Sequence, residues 1–286
     1  MSAIQTVIDI LDLEPIEVNL FRGQTPLEER DHRRIYGGQV IAQALKAAYM
    51  TVEGRPCHSL QAYFIRPGDP KAPVLYEVER SREGRSFTTR RVIAIQHGEQ
   101  ILNLAASFHT PEPGYDHQTP IPATPSAEAT PTERERLDSA GRDLTEAMKE
   151  LATRDRAIEI RRLDPIDWHH PVKAAPEHKI WFRASGEAGD DPVLNQCLLA
   201  YASDMTLLST CARPHGESWF TGLQMASLDH VLWFHRPSRI RDWHLYVMDS
   251  PSASAARGFN RGSIYTADGT LVASAAQEGL IRPPRR

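Results

Sequence analysis

The segment QMASLDHVLWFHRP, Gln224 to Pro237, places a serine, an aspartate and a histidine (Ser227, Asp229 and His230) within four residues of one another. These are the types that build a nucleophilic hydrolase site, in which histidine activates the serine and the acid orients the histidine. A strand forbids the in-line version: successive side chains alternate faces, so Ser227 and Asp229 point one way and His230 the other. No G-x-S-x-G turn exists to present a nucleophile, since GLQMA precedes Ser227. Asp229 and His230 therefore read as structural, satisfying nearby backbone groups. Two further polar residues fall where apolar ones are expected. Asp204 lies on a row with Cys197, Tyr201 and Leu208 at helical spacing, on the apolar stripe. A carboxylate there is costly unless partnered, so it is either held by amides or an arginine, or it works. Gln277 closes the alternating face Leu271, Ala273, Ala275. Its small neighbours leave room for a ligand, although an amide satisfied by backbone is the plainer reading of that pattern.

The elements that must carry these residues form a duplication. Tyr63 to Pro67 (YFIRP) resembles Trp233 to Pro237 (WFHRP), 170 positions later, and the same offset pairs Tyr76 with Tyr246, Arg91 with Arg261, and Ala105-Ala106 with Ala275-Ala276. Each half reads as a strand, a helix and several strands. The first helix is GGQVIAQALKAAY from Gly37; the second starts at Asp191-Pro192, an N-cap followed by proline at the first helical position, with Leu194, Leu198, Tyr201, Met205 and Leu208 as its stripe. Asp268-Gly269 signals a two-residue hairpin near the end of the chain. Between the halves, six prolines from Pro111 to Pro131 and a charged, helix-capable stretch from Thr132 to Asp155 make a linker. The expected organisation is an N-terminal repeat over 1–109, a linker over 110–172 and a C-terminal repeat over 173–286. The fold class is α+β: two long helices, each wrapped by an antiparallel sheet, the two sheets joining into one. That arrangement is a double hotdog.

Composition excludes several alternatives. With 286 residues, 41% hydrophobic, 24% charged and a net charge of −4, the chain has no basic excess to hold a nucleic acid backbone. No run approaches a membrane span, and the acidic N-terminus lacks a signal-peptide pattern, so stable membrane insertion is not expected and the cytoplasm is. The three cysteines, Cys57, Cys197 and Cys211, have neither disulfide arithmetic nor C-x-x-C spacing. His169-His170 lacks ligand spacing, so no metal is expected. His58 aligns with Leu228 at the 170 offset and reads as a satisfied strand histidine.

Seven stretches together resemble the acyl-CoA thioesterase II family: FRGQ at Phe21, YGGQVIAQAL at Tyr36, FIRPGD at Phe64, YASD at Tyr201, SLDHVLWFHRP at Ser227, SASAARGF at Ser252 and VASAAQEGLIR at Val272. The resemblance runs from about Asn19 to Arg282 and omits the proline-rich linker. It implies hydrolysis of acyl-CoA to free fatty acid and CoA, with no metal or organic cofactor. It also implies an aspartate, a threonine or serine, and a glutamine that hold and activate one water; these fall on Asp204, Ser227 and Gln277. Asp204 is then a general base. The amides of Gly37 and Gly38, near a helix start, are candidates for the oxyanion site. Arg257 and Arg261 are candidates for the CoA phosphates, with a solvated or structural arginine as the alternative for each. Two rival functions remain at this stage. A hotdog hydratase or dehydratase commonly sets Asp and His five residues apart, whereas Asp204 is followed at that distance by Ser209; a non-catalytic acyl-CoA-binding module would need neither Asp204 nor Gln277. Exposed sheet edges favour a homodimer or homotetramer. In the first half the offsets place Cys57, Ser107 and Ala47 opposite Ser227, Gln277 and Asp204, so one catalytic centre per chain is expected.

Overall fold

The computed structural model of the protein describes residues 2–30, 32–139, 155–164 and 167–283. The first half contains α1 (Ala3–Ile10), β1 (Glu14–Glu17), β2 (Leu20–Gly23), α2 (Gly37–Tyr49), β3 (Cys57–Phe64), β4 (Val74–Glu83), β5 (Phe87–Gln96) and β6 (Glu99–His109). After α3 (Glu133–Ser139) and β7 (Ile158–Arg162), the second half contains β8 (Glu177–Ala184), α4 (Pro192–Ser203), β9 (Gln224–Ser227), β10 (Asp229–Phe234), β11 (His244–Ser254), β12 (Arg257–Thr266) and β13 (Leu271–Arg282). The offset of 170 carries β3, β4 and β5 onto the region of β10, β11 and β12, as the duplication requires. Among the described residues all pairings are antiparallel within one 13-stranded sheet, and the halves join where β3 lies beside β10. The fold is a double hotdog.

Both central helices are wrapped by this sheet, which is why most residues of each are buried. In α2 the run Gly38 to Tyr49 is inaccessible apart from Lys46, and in α4 Cys197 to Ser203 is buried without a break. Asp191 caps α4 as expected, accepting from the amides of Val193 and Leu194 at 3.2 Å each. The helix does not reach Leu208. It stops at Ser203 with Asp204 as its C-cap, and Thr206 then takes a positive φ of 65°. A β-branched residue in that region ends the α-helical path, so Leu208 begins a separate 3-10 helix (Leu208–His215).

Two other departures concern connections. The Asp268-Gly269 turn is a three-residue loop, Ala267 to Gly269, with Gly269 at φ 92° and Thr266 N–H donating to the Thr270 carbonyl at 2.9 Å. Its first-half counterpart, His97-Gly98, has two residues. The extra residue slips the repeat by one in the last strand: Leu60 faces Ala106 in the first half, and at the equivalent place the register of Val231 with Ala276 sets His230 against Gln277, their side chains 3.2 Å apart. Ala106, rather than Ser107, is the counterpart of Gln277. The linker is also more ordered than a spacer. Gln118 bonds both the Gly269 carbonyl (2.7 Å) and the Leu271 amide (2.9 Å), Pro125 accepts from the Trp181 indole (2.9 Å), and β7 extends the sheet beyond β8. Of the charged stretch expected to be helical, Glu133–Ser139 is α3 and 140–154 lie outside the described residues.

Among the histidines at zero exposure in the second-half core are His178 and His244. Burial, reinforced by Arg162 and Arg213, pushes His178 down to about 3; burial pushes His244 down to about 4 against its bond to the Asp242 carbonyl. Both are neutral in the folded chain and protonate near 6.5 once unfolded, so the unfolded state binds more protons between those values. Stability is complete above pH 6.5 and falls as the pH drops toward 4, by at most about 1.4 kcal/mol per unit for each histidine. Urea midpoints measured at pH 7.5, 6 and 5 should decline in that order, and His178→Leu should flatten the decline. Midpoints independent of pH across this range would contradict the linkage.

Candidate active site

The two central helices run antiparallel, and the N-terminus of α2 meets the C-terminus of α4. The approach is close enough to require glycine: a Cβ on Gly38 would stand 2.4 Å from the Tyr201 carbonyl oxygen, and one on Gly37 would stand 2.9 Å from Asp204 Oδ2. Helix ends carry opposite partial charges, positive at the N-terminus and negative at the C-terminus. The Asp204 carboxylate thus hangs off the negative end of its own helix and faces the positive end of the other. Two tyrosine hydroxyls occupy the carbonyls that would otherwise repel it: Tyr36 donates to Tyr201 O at 2.8 Å and Tyr246 to Ser203 O at 3.0 Å. Burial, with the nearby Asp204 charge adding to it, raises both tyrosine pKa values, which keeps them as donors.

Asp204 has 6% of its side chain exposed. Its Oδ1 accepts from Gln277 Nε2 at 2.6 Å, while Oδ2 is the oxygen nearest Gly37. Gln277 itself is buried on the inner face of β13, beside Ala275 as the alternation predicted. A cavity of about 450 Å³ opens in front of Asp204 and is also lined by Ser227, Gly37 and Thr206. Ile35, Val40, Phe64, Ile101, Leu102 and Met225 give it an apolar wall, and the exposed side chains of His32, Arg34 and Arg66 also line it.

Ser227 reaches this cavity because of an irregularity that alternation alone does not reveal. The four steps from Ser227 to Val231 face only three on β13, from Gly279 to Ala276, so the strand carries a β-bulge around Leu228. The extra residue inverts the faces. Ser227 joins Asp204 in lining the cavity, on the side where His230 is buried, which corrects the expectation that the two point apart. Asp229 supports the bulge: its Oδ1 accepts from the Glu278 amide at 2.7 Å, beside the Leu228 N–H bond to the Glu278 carbonyl at 2.9 Å. Asp229 thus satisfies backbone, as its position in the sequence suggested. The first half keeps a bulge at the equivalent place, between Cys57 and Ser59.

The remaining sequence candidates lie elsewhere. Gly37 lines the cavity, whereas Gly38 is buried against Tyr201. Arg257 and Arg261 stand on the outer, exposed face of β12, opposite in parity to buried Asn260; Arg257 Nε pairs with Glu278 at 3.0 Å and Arg261 Nη2 with Asp249 at 2.5 Å. Neither lines the cavity. His58 bonds Ser107 Oγ at 2.8 Å, and the three thiols are buried and free. Among the described residues no cluster of His, Cys, Asp or Glu has the makings of a metal centre. His230, expected to satisfy backbone groups, instead meets two side chains: it sits at zero exposure between Ser203 and Gln277. Its signal was present, because it shares the inward face of β10 with Leu232 and Phe234.

At the opposite helix crossing, in the first half, the corresponding side chains differ. Cys57, Leu60 and Ala106 stand for Ser227, His230 and Gln277, and the C-cap position of α2 is Met50 instead of an acid. The space is closed by hydrogen bonds: Tyr49 OH donates to Gln196 Oε1 and accepts from the Cys57 amide at 2.7 Å, and Gln196 Nε2 donates to the Cys57 carbonyl at 3.1 Å.

The structure is thus a double hotdog with a buried carboxylate at a helix crossing and a cavity with an apolar wall before it, and comparison with known proteins identifies its class. Residues 28–109 match the acyl-CoA thioesterase N-terminal domain, and residues 150–280 match acyl-CoA thioesterase. Acyl-CoA thioesterase 2 of Haemophilus influenzae is 38% identical over 98% of both chains, and acyl-coenzyme A thioesterase 8 of Homo sapiens is 39% identical over 96% of this chain and 88% of that one. The crystal structure of the acyl-CoA thioesterase II TesB2 from Mycobacterium marinum superposes with a TM-score of 0.78 at 39% identity, covering 97% of this chain and 98% of that one. The chain belongs to the acyl-CoA thioesterase family. It is a thioester hydrolase of acyl-CoA.

Two outcomes follow from this geometry. Asp229→Ala leaves the Glu278 amide without its partner and should lower stability by about 1–3 kcal/mol. Chemical denaturation reads the loss, and an unchanged midpoint would remove Asp229 from the bulge. Cys57→Ala and Ser107→Ala, both at the sealed crossing or on the outer face, should leave turnover within a few-fold of wild type. A large loss of kcat in either, or titration of two equivalent sites per chain, would overturn the asymmetry of the halves.

Proposed function

We propose that hydrolysis runs by general-base catalysis at Asp204, with one active centre per chain. The observation that carries this reading is the split use of the carboxylate: Gln277 holds Oδ1 at 2.6 Å, which leaves Oδ2 for the side nearest Gly37 and the cavity. A water between Oδ2 and the Ser227 hydroxyl gives up a proton to Asp204 as its oxygen attacks the thioester carbonyl. The charge that develops on the carbonyl oxygen faces the first amides of α2, at Gly37 and Gly38, which have no partner within the helix. Collapse breaks the carbon–sulfur bond, and Asp204 returns the proton to the departing CoA thiolate. The acyl chain lies along the apolar wall, and the CoA end leaves past Arg34 and Arg66. In this geometry Arg257 and Arg261, each tied to a carboxylate on the outer face, could meet the phosphates only from the far side of the sheet.

The reading extends to setting. Free, buried thiols at Cys57, Cys197 and Cys211 support a cytoplasmic protein. No helix among the described residues is long and apolar enough to cross a membrane. The outer strands β1 and β7 and the aromatic side chains Tyr63, Trp233 and Phe259 on the exposed sheet support a homodimer or homotetramer.

Asp204→Asn keeps the shape and removes the base, so kcat should fall by about 10²–10⁴ with KM little changed, read by thiol release from acyl-CoA. Full activity would exclude Asp204 as the base. Ser227→Thr should retain turnover because it keeps the hydroxyl, and Ser227→Ala should lose most of it; near-native turnover in the alanine variant would reduce Ser227 to a packing residue.

A further inference from the structure

The Asp204 carboxylate depends on a carboxamide held one way round, and holding it that way has a cost. Gln277 directs Nε2 at Asp204, and its buried Oε1 has no hydrogen-bond partner among the described residues. Left alone, a buried amide would turn to satisfy its oxygen. A second contact prevents this. Gln277 Nε2 also lies 3.2 Å from Nδ1 of His230, and Nε2 of His230 lies 2.9 Å from Ser203 Oγ.

The proton positions follow from the ends of this chain. Ser203 gives its single hydroxyl proton to the Ala200 carbonyl at 2.9 Å, so toward the imidazole it accepts. Nε2 of His230 must then bear the proton, and Nδ1 keeps a lone pair. At the other end a carboxylate oxygen can only accept, so the Gln277 atom 2.6 Å from it is the amide nitrogen. Its two protons go to Nδ1 and to Oδ1. The 3.9 Å approach of His230 Nδ1 to Asp204 Oδ1 is therefore two acceptors bridged by one amide, and no ion pair. Complete burial lowers the imidazole pKa against the pull of Asp204, in keeping with the neutral form. The sealed half shows the device removed: the pair facing each other there is Leu60 and Ala106.

We propose that His230 is the positioning residue of the site, its Nδ1 lone pair, set by Ser203, locking the Gln277 carboxamide so that it donates to Asp204 Oδ1 and leaves Oδ2 for the water. The proposal rests on Asp204 being the base. It assigns no proton transfer to His230, which never meets substrate.

The test is a mutant cycle on the full chain, read by acyl-CoA hydrolysis alongside thermal denaturation. His230→Leu, the residue the other half carries, should lower kcat about 10–100-fold, the range typical of a group that orients a site ligand, with KM changed less than about threefold. In a Gln277→Ala background the same substitution should cost less than about threefold, because the group it acts through is gone. His230→Asn, whose carboxamide oxygen can stand in for Nδ1, should recover most of the lost kcat although it fills the space less well than leucine. If His230→Leu does not fold, Ser203→Ala replaces it: it frees the tautomer, so it should reduce kcat in the wild-type background and leave the Gln277→Ala enzyme unchanged. Equal losses with and without Gln277, an asparagine variant no better than leucine, or unchanged kcat would each overturn the role of His230. Those outcomes are separable from failure of the base itself, which full activity in Asp204→Asn reports.

Discussion

Everything in the site hangs on how near two helix ends can come. The backbone of α2 at Gly38 passes so close to the Tyr201 carbonyl that no side chain fits between them, and this contact sets the end of α4, and therefore Asp204, against the first turn of α2. A carboxylate at the C-terminus of an isolated helix is in the wrong place, since the last carbonyls repel it. Here the tyrosine hydroxyls of Tyr36 and Tyr246 draw those carbonyls away, and the opposing helix start offsets what remains. The result is a carboxylate almost wholly out of water, next to the first turn of the opposing helix. The proposed base and the proposed oxyanion donors would both be set by one packing event.

The sheet supplies the second side of the site by departing from regularity. A flat continuation of β10 would have turned the Ser227 hydroxyl away from the cavity. The bulge at Leu228 reverses it, and the reversal is held by Asp229, the acid that first looked like part of a triad. In QMASLDHVLWFHRP the serine, aspartate and first histidine take three different places: Ser227 lines the cavity, Asp229 secures the backbone irregularity that lets it do so, and His230 lies behind, against Gln277.

The duplication, the helix start at Asp191-Pro192, the inward set Ala273, Ala275, Gln277 and the family resemblance were all legible in the chain, because each rests on a local period or a fixed offset. Position 204 was legible as an anomaly, but for a reason the structure revises: it is a cap at the point where Thr206 turns the chain, and the apparent row to Leu208 is broken there. Insertions of one residue were not legible. The bulge at Leu228 and the longer loop at Gly269 each change a register by one, and a period-two pattern reports the wrong face after either. The arginines could have been placed, since buried Ile264 fixes Gly258, Asn260 and Gly262 inward and Arg257 and Arg261 outward. What covers those arginines, or leaves them bare, is a matter of long-range packing that no local period encodes.

The Tyr49, Gln196 and Cys57 bonds that close the other crossing have a meaning beyond stability. When two identical subunits share such a helix pair, every substitution appears at both crossings, so a residue that sharpens catalysis must also be tolerated as its neighbour's scaffold. Joining the halves in one chain removes that coupling. With one active centre per chain, as proposed, one crossing is free to adopt whatever polar arrangement the reaction demands, while its twin is free to become a clamp. Specialisation of this kind is inherited from the covalent link itself.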